Sequence, residues 1–592
     1  MLACILGTES NPSVRQNMTQ KNVFQNLVWL GIVKSILLCS QHAHAQQDAP
    51  LLVAPNDQVI QSWQQNNPGG AGPALKRDED GSTRIEWTGG VAVDDYSNDI
   101  WSAAGLINTP QKSGTYFKNS FNSDVRIVQK NKTVNYFQLG ATQSNDLSVL
   151  SQSRYQINNL QLGRSGESYL FALGDVAPNF SSLSTALGLR GLFGQRQFSD
   201  VTVSGFTGLV AESWEALDNK IPRTQYLKDA HGIKLEKMFG TSLKTYLTTQ
   251  SSSEREPTTI LAQLPATARG KSRSLTGGFQ YQKDQFSVAG ETAGSSYEDD
   301  GSSDRQGRAT VVDATWRGDS ITLRSGYHDI STGYTSLSAS AQPGVREAYA
   351  GTEWTAASWL TVGSDLRRSR LSSRATSGFE STFIDTDALS TRATLSFGPS
   401  YPGWTAAVQH AVSQSINSAE QRSKNSDFSS VFGYVSGTWN SAISFGSGKV
   451  VSEVSPSSDS LNDSWSFNLG RNFSDALPDL AASWSAAVNF AGGAQTQRLV
   501  LGGQTTNTNY TLTLTAKRAG WGGVNLLLTA GETTQPNGGP SLRLRAFQLE
   551  ATYNISPKNT LKAYVRNSHR NIDDAQLASK ENVAGLQLNI NF

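Results

Sequence analysis

The chain has few of the residues that define most soluble folds. Hydrophobic residues make up 37% of its 592 residues, against about 45–50% in ordinary globular domains, a range that also counts glycine. Charged residues make up 17%, against a usual ~25%. Glycine, serine, threonine and asparagine fill the difference. This composition argues against ordinary globular domains and is typical of a water-lined β-barrel, in which only the outward half of each strand must be apolar.

Long hydrophobic runs are also missing, apart from one near the N-terminus. The run Leu27–Val33 is broken by Lys34, and a small-residue cleavage motif, Ala-His-Ala, follows at 43–45. We interpret residues 1–45 as a signal peptide, with Met18 as an alternative start, rather than as a membrane anchor. The only two cysteines precede the cleavage site. The mature chain would therefore have neither a disulfide framework nor a cysteine metal site.

An excess of one charge sign is absent too. The chain has 50 Lys and Arg against 49 Asp and Glu, which gives no electrostatic basis for binding nucleic acid. Of its six histidines, His42 and His44 leave with the predicted signal peptide. The other four are well separated, and none has a second histidine or a carboxylate at metal-ligand spacing on one element. A G-x-S-x-G nucleophile motif does not occur. We therefore predict no metal, no cofactor and no enzymatic activity.

Residues 46–112 differ from the rest of the chain. They begin with a stretch rich in Gln, Asn, Pro and Gly that contains a charged cluster at 76–80. This composition predicts a partly disordered periplasmic extension or, alternatively, a plug inside a barrel. Short strand-like pieces within 83–112 predict an extra hairpin, which would add two strands to a barrel.

From residue 113 onward the sequence alternates regularly between apolar and polar residues. Tyr510, Leu512 and Leu514, for example, alternate with Thr511 and Thr513. Stretches of about ten residues have the length that a tilted barrel strand needs to cross a membrane. We therefore predict an all-β fold, a transmembrane antiparallel β-barrel over 113–592. A β-solenoid or a string of β-sandwiches is the alternative, but the pattern shows no domain joint.

The stretches are joined alternately by tight turns and by longer polar loops. Twelve tight turns are predicted near Lys130, Ser165, Ser199, Gly240, Asp284, Gly318, Ala357, Pro402, Asn440, Asp475, Gly520 and Pro557, most with aromatic neighbours. Counting a strand pair for each turn gives about 24 strands, with a range of about 22–26. Long loops are predicted at 251–273, 295–308, 329–347, 368–386, 413–427 and 567–580. Short periplasmic turns and long extracellular loops are typical of outer-membrane barrels.

The last strand carries an apolar face that ends on an aromatic residue. Ala584, Leu586, Leu588, Ile590 and Phe592 share this face because side chains alternate along a strand. The pattern resembles the closing strand of Gram-negative outer-membrane barrels. The resemblance implies location in the outer membrane and contact with its lipid and lipopolysaccharide. It also implies that Phe592, Ile590 and Leu588 form a signal for the β-barrel assembly machinery.

A second, more local resemblance lies near the start of the barrel. The stretch Leu173–Leu183, followed by Gly188–Gly191, is similar to early barrel strands of fimbrial ushers. The chain departs from ushers because it has no plug-sized insertion after these strands, no C-terminal soluble domains and no paired cysteines. We predict that Asp175 and Arg190 are lumen charges that pair across neighbouring strands.

Two further lumen charges are predicted near the C-terminus. Lys562 and Arg566 lie on the polar face of their strand, opposite Leu561 and Val565. Such a face is costly in lipid and natural in a wet lumen.

These observations predict an outer-membrane transport pore. Solute or polymer, polysaccharide included, would pass through a polar lumen that 46–112 or an infolded loop partly occludes. Periplasmic export partners would belong to such a system. The alternatives are an usher-like secretion barrel for protein subunits and a non-conducting structural or adhesin barrel.

Overall fold

A computed structural model describes most of the predicted barrel. It covers residues 83–592 apart from 103–112, 147–148, 151–153, 179, 182, 186–187, 211–213, 215–226, 256–269, 300–301, 337–340, 374–380, 399–400, 455, 457–458, 474–483, 501, 536–538, 540 and 573–577. The predicted signal peptide and residues 46–82 lie outside this part. Among the described residues, no helix is long and apolar enough to cross a membrane.

Twenty-six strands follow one another along the described chain. Their bounds are β1 Arg84–Ser102, β2 Gly114–Val128, β3 Val134–Ser144, β4 Tyr155–Ser165, β5 Tyr169–Val176, β6 Leu189–Phe198, β7 Val201–Val210, β8 Leu227–Phe239, β9 Leu243–Arg255, β10 Gly270–Lys283, β11 Phe286–Asp299, β12 Ser302–Arg317, β13 Ile321–Ile330, β14 Val345–Ala357, β15 Leu360–Ser372, β16 Phe383–Ser396, β17 Trp404–Asn417, β18 Arg422–Val435, β19 Trp439–Ser452, β20 Ser460–Asn472, β21 Trp484–Leu499, β22 Gln504–Arg518, β23 Gly522–Thr534, β24 Leu542–Asn554, β25 Asn559–Ile572 and β26 Ser579–Asn591.

The sheet closes on itself. Every strand pairs antiparallel with the next one in sequence, and β1 also pairs antiparallel with β26. Closure leaves no strand edge, which matters because an unpaired backbone group costs several kcal/mol in hydrocarbon. The predicted all-β barrel is therefore confirmed.

The strand number lies at the upper end of the predicted range, for a topological reason. Eleven of the twelve predicted turns lie within two residues of a connection between an even-numbered strand and the next odd-numbered strand, and the twelfth, near Asp475 between β20 and β21, falls outside the described residues. Strand β1 begins, and strand β26 ends, on the same rim as these turns. The twelve connections on that rim join β2 to β25, which are 24 strands, and β1 and β26 raise the number to 26.

The predicted domain boundary at residue 113 is wrong, because β1 is itself a barrel strand. Arg84–Ser102 forms one continuous strand of 19 residues, not an extra hairpin. It pairs with β2 and with β26. The alternation was hard to recognise there because Gly89 and Gly90 carry no side chain and Asp95 shares a face with Val93.

Strands also extend into several predicted loops. The predicted loop at 295–308 is mostly strand, since β11 reaches Asp299 and β12 begins at Ser302. The predicted loop at 368–386 shortens in the same way. Beyond the hydrocarbon both faces of a strand are wet, so alternation ends while the backbone ladder continues. Sequence alternation therefore marks only the membrane-crossing part of each strand.

One face of every strand turns outward. The large exposed apolar side chains Ile233, Leu235, Leu247 and Leu275 share a face across β8 to β10. Directly paired residues lie on the same face. The face of every strand therefore follows from the pairing with its neighbour, and the result is the same when the sheet is followed round from β26 back to β1. We call this side the outer face and the opposite side the inner face. The outer face suits lipid and the inner face a wet lumen.

Exposed aromatic residues follow the rim of the tight turns. They are Phe239, Phe286, Trp316, Trp354, Trp359, Trp404, Trp439, Trp521 and Tyr553. Aromatic side chains of this kind collect at the membrane–water interface because one end is apolar and the other tolerates water. The belt indicates that this rim lies at a membrane surface.

Phe592 closes the barrel at this rim. Its backbone nitrogen donates to the Gly89 oxygen at 3.0 Å, and the Gly89 nitrogen donates to the Phe592 oxygen at 3.2 Å. Its ring packs edge-on against Trp87, with centroids 4.7 Å apart. Phe592 therefore joins the last strand to the first at this rim, and its role in an assembly signal stays a prediction. Ile590 and Leu588 lie on the outer face, paired with Val91 and Val93 of β1.

A side chain on the inner face ties three strands together at this seam. Tyr564 of β25 crosses over Gly585 of β26 and donates to an Asp94 carboxylate oxygen of β1 at 2.9 Å. A Cβ at position 585 would overlap the Tyr564 ring. The glycine is therefore what allows β25 to contact β1 directly.

Replacing Phe592 with Ala should reduce folding into membranes. The change removes an aromatic contact worth ~0.5–1.5 kcal/mol beyond its buried area from the pair that closes the sheet. We expect a several-fold lower yield of SDS-resistant, heat-modifiable barrel on refolding into lipid vesicles. Phe445→Ala, an outer-face change away from the seam, is the control. Equal yields for both variants would contradict the closing role.

Candidate functional site: the inner wall of the barrel

The described residues of the connection between β5 and β6, within 177–188, fold onto the inner face, and we call them the inner loop. Phe180 is buried and packs edge-on against Phe206 of β7, with centroids 5.0 Å apart. Val176, Leu189 and Val210, on the inner faces of β5, β6 and β7, belong to the same apolar cluster, together with Ala172 and Ala230. Apolar side chains on a lumen wall need cover from water, and the inner loop supplies it.

The inner loop reaches a second cluster several strands further along the wall. Leu183 is fully buried against Ala293, Ala309 and Ile330, the inner faces of β11, β12 and β13. Burial of a leucine side chain stabilises by about 1.5–3 kcal/mol. The two clusters therefore hold the loop against the wall at both ends.

Hydrogen bonds from the β13–β14 connection fix the inner loop. The Tyr334 hydroxyl donates to the Leu183 carbonyl, and the Ser336 hydroxyl donates to the Ser184 carbonyl at 3.0 Å. Thr185 donates to the Gln250 side chain of β9. Burial raises the pKa of the Tyr334 phenol, so it keeps its proton and remains a donor at physiological pH. Two connections together thus occupy one side of the lumen.

Asp175 and Arg190 pair as predicted, but they do not face the lumen. Arg190 Nε lies 2.8 Å from Asp175 Oδ1 across β5 and β6. Trp214 donates to the other Asp175 oxygen at 3.0 Å. The register places the pair on the face of Leu173 and Leu192, which is the outer face. The lumen assignment is therefore wrong for these two residues.

Backbone geometry at Gly174 explains the position of Asp175. Gly174 has φ +105°, a conformation that favours glycine, and a Cβ there would overlap the Leu160 oxygen. The bend lets an Asp175 carboxylate oxygen accept a hydrogen bond from the Leu160 nitrogen at 2.6 Å. The carboxylate thus replaces a ladder bond at the end of β5, beyond the last β4–β5 pair.

Lys562 and Arg566 do lie on the inner face, each beside a carboxylate. Lys562 Nζ is 3.5 Å from Glu550, and Arg566 Nη2 is 3.3 Å from Glu581. Val565, between them, is exposed on the outer face. These two cations lie beside the seam, on the inner face of β25. The structure does not bring them together with Asp175 and Arg190, which lie on the outer face of β5 and β6.

A further group of paired charges lies on the inner faces of β12 to β16. Arg324 contacts Asp365 at 3.2 Å, and Arg392 contacts Glu353 at 3.1 Å. Asp313 accepts from Tyr349 at 2.6 Å and lies 3.0 Å from His328. These side chains are partly exposed, as expected in a water-filled lumen. Within the described part of the chain, no three His, Cys, Asp or Glu residues are placed to hold a metal ion.

Most contacts of the inner loop do not follow from the sequence. An infolded loop that narrows the lumen is predicted, but its residues are not. The available signal was the presence of Phe180 and Leu183 in an otherwise polar connection. For Asp175, the sequence signal is its spacing of two and four residues from the apolar Leu173 and Phe171, since side chains at even spacing share one face of a strand.

The barrel is similar in fold to solved outer-membrane barrels. The P pilus usher PapC translocation pore is 11% identical over 86% of this chain and 99% of that chain, with a TM-score of 0.34. OccAB4 of Acinetobacter baumannii is 11% identical over 63% of this chain and 100% of that chain, TM-score 0.31. OccK3 (OpdO) of Pseudomonas aeruginosa is 10% identical over 86% and 96%, TM-score 0.26. No protein-family model and no curated protein sequence matches the chain.

These similarities concern the fold alone. The closed antiparallel sheet, the apolar outer face and the aromatic belt are independent properties of this chain. They are the properties of an outer-membrane pore or transport barrel.

Replacing Leu183 with Asp should release the inner loop. The carboxylate would be buried among Ala293, Ala309 and Ile330 without a partner, which is strongly unfavourable. We expect a larger single-channel conductance in planar bilayers, with the barrel still SDS-resistant. Val500→Asp, in an exposed connection on the same rim, should leave the conductance unchanged. An L183D channel that conducts like the unchanged chain would show that the inner loop does not limit the lumen.

Proposed function

We propose that the barrel is a conduit for a hydrophilic polymer, with polysaccharide as the favoured class. The observation that supports this most directly is the inner wall. Polar side chains face inward on strands all around the closed sheet, and among the described residues the two buried apolar clusters on the inner face are those that the inner loop contacts. A structural barrel with no transport role would not need a wet interior of this extent.

The size of the barrel supports a large substrate. A 26-stranded sheet with strands ~4.8 Å apart and a tilt of ~40° would be roughly 50 Å across between backbones. Small-solute diffusion does not require such a width. A polymer chain does benefit from it, because the hydrated chain and the inner loop must share the lumen.

Two other functions make different predictions. An usher-like barrel would pass folded protein subunits and would need a periplasmic chaperone partner. A structural or adhesin barrel would not conduct. The periplasmic export partners, the signal-peptide route and contact with the assembly machinery belong to the proposal and follow from the resemblance of the last strand to outer-membrane barrels.

Single-channel recording of the refolded chain in planar bilayers tests the proposal. We expect stable conductance that dextran of increasing size reduces only when the polymer is large, since the wide lumen should admit small dextrans. A silent bilayer in the presence of SDS-resistant barrel would contradict transport. Conductance that small sugars already abolish would contradict a polymer conduit and favour a small-solute pore.

A further inference from the structure

The inner faces of β19 to β23 differ from the rest of the lumen wall. They carry hydroxyl and amide side chains, among them Ser444, Ser466, Asn468, Asn489, Asn509 and Thr511. We call this surface the amide track. Within the described strands, the register brings one charged residue to this surface, Lys517, near the rim of the tight turns. Apart from Lys517 and the apolar Val450, Leu499 and Leu527, the track is a broad neutral polar surface.

Three amides of the track are available to a ligand. Among the described residues, the side chains of Asn468, Asn489 and Asn509 form no hydrogen bond within the chain, whereas Ser444 and Ser466 bond to each other at 2.6 Å. Asn468 and Asn509 are also exposed. An amide offers two donors and an acceptor, so each of these side chains can match a sugar hydroxyl, which both donates and accepts.

Small residues lie between these amides and keep the surface open. Ala491 is paired with Asn468 on one side and with Thr511 on the other. Gly493 similarly separates Ser466 from Asn509. The polar groups therefore project above their neighbours rather than being covered by them.

The charged parts of the wall do not offer an equivalent surface to an ionic polymer. Lys562 and Arg566 each have a carboxylate partner, as do Arg324 and Arg392. A cation that is already paired gains little from a second carboxylate. Among the described inner-face residues, an acidic polymer would find few unpaired cations, namely Lys118, Arg317, Lys517 and Arg570. It would also meet Asp427 beside the track on β18.

Aromatic side chains are absent from the inner face of β19 to β23 as the structure describes it. Polar contacts on the track are therefore hydrogen bonds without aromatic stacking, and each is weak in net terms because both partners give up hydrogen bonds to water. Weak, repeated contacts favour movement along a surface over tight binding, as conduction requires.

We infer that the amide track is the path of an uncharged, hydroxyl-rich glycan through the lumen. This inference rests on the proposed conduit and adds to it the charge class of the polymer and the side of the wall that it follows. The paired charges elsewhere then serve as wall structure rather than as substrate contacts.

The test uses the refolded full chain in planar bilayers with two probes of similar length, a neutral maltooligosaccharide and an acidic oligogalacturonate. We expect the maltooligosaccharide to interrupt the current for longer than the oligogalacturonate does. The double variant N468L/N509L should shorten these interruptions about tenfold, the effect of losing ~1.4 kcal/mol of hydrogen bonding. Leucine keeps the approximate size of asparagine and removes its polar atoms.

The control is Gln280→Leu, which removes an exposed inner-face amide on β10, outside the track. It should leave the interruptions unchanged, and SDS resistance should show that every variant folds. Absence of any conductance would overturn the proposed conduit. Normal conductance with longer interruptions by the acidic probe, or with equal effects of Q280L and N468L/N509L, would overturn the amide track alone.

Discussion

The hydrogen-bonded ladder between β1 and β26 is the constraint on which the rest of the structure depends. Without it, both terminal strands would expose unpaired backbone groups to lipid, at a cost of several kcal/mol for each group. The ladder runs from Gly90 paired with Asn591 to Ser102 paired with Ser579, and Phe592 completes it at the rim. Closure also fixes which residues face the lumen. Directly paired residues share a face, so the inner and outer faces must agree for every pair of neighbouring strands, including β26 and β1.

The alternation of side chains along each strand separates the outer face of the barrel from the inner face. The outer face needs only apolar bulk, and its aromatic belt places one rim at a membrane surface. The inner face divides into regions: the part covered by the inner loop, the walls of paired charge, and the neutral amide track. The function proposed for the barrel follows from this division rather than from any one catalytic or binding residue.

The sequence predicted the parts of the fold that repeat. Tight turns and alternation recur in every hairpin, and the pairing of Asp175 with Arg190 follows from neighbouring strands. Strand β1 was missed because Gly89 and Gly90 erase the alternation. The inner loop contacts of Leu183 with Ala309 and Tyr334 were beyond reach, because they join residues more than a hundred positions apart that no periodic pattern connects.

Disulfide cross-linking across the seam tests closure most directly, since the predicted mature chain has no cysteine of its own. Ala92 and Asn589 are directly paired, and they lie at a position between hydrogen-bonded pairs, where Cα atoms are ~4.5 Å apart, close enough for a disulfide. Closure predicts that A92C/N589C forms a disulfide in the folded barrel, whereas A92C/L588C, which places the thiols on opposite faces, does not. Equal cross-linking of both pairs, or of neither, would contradict the closed barrel.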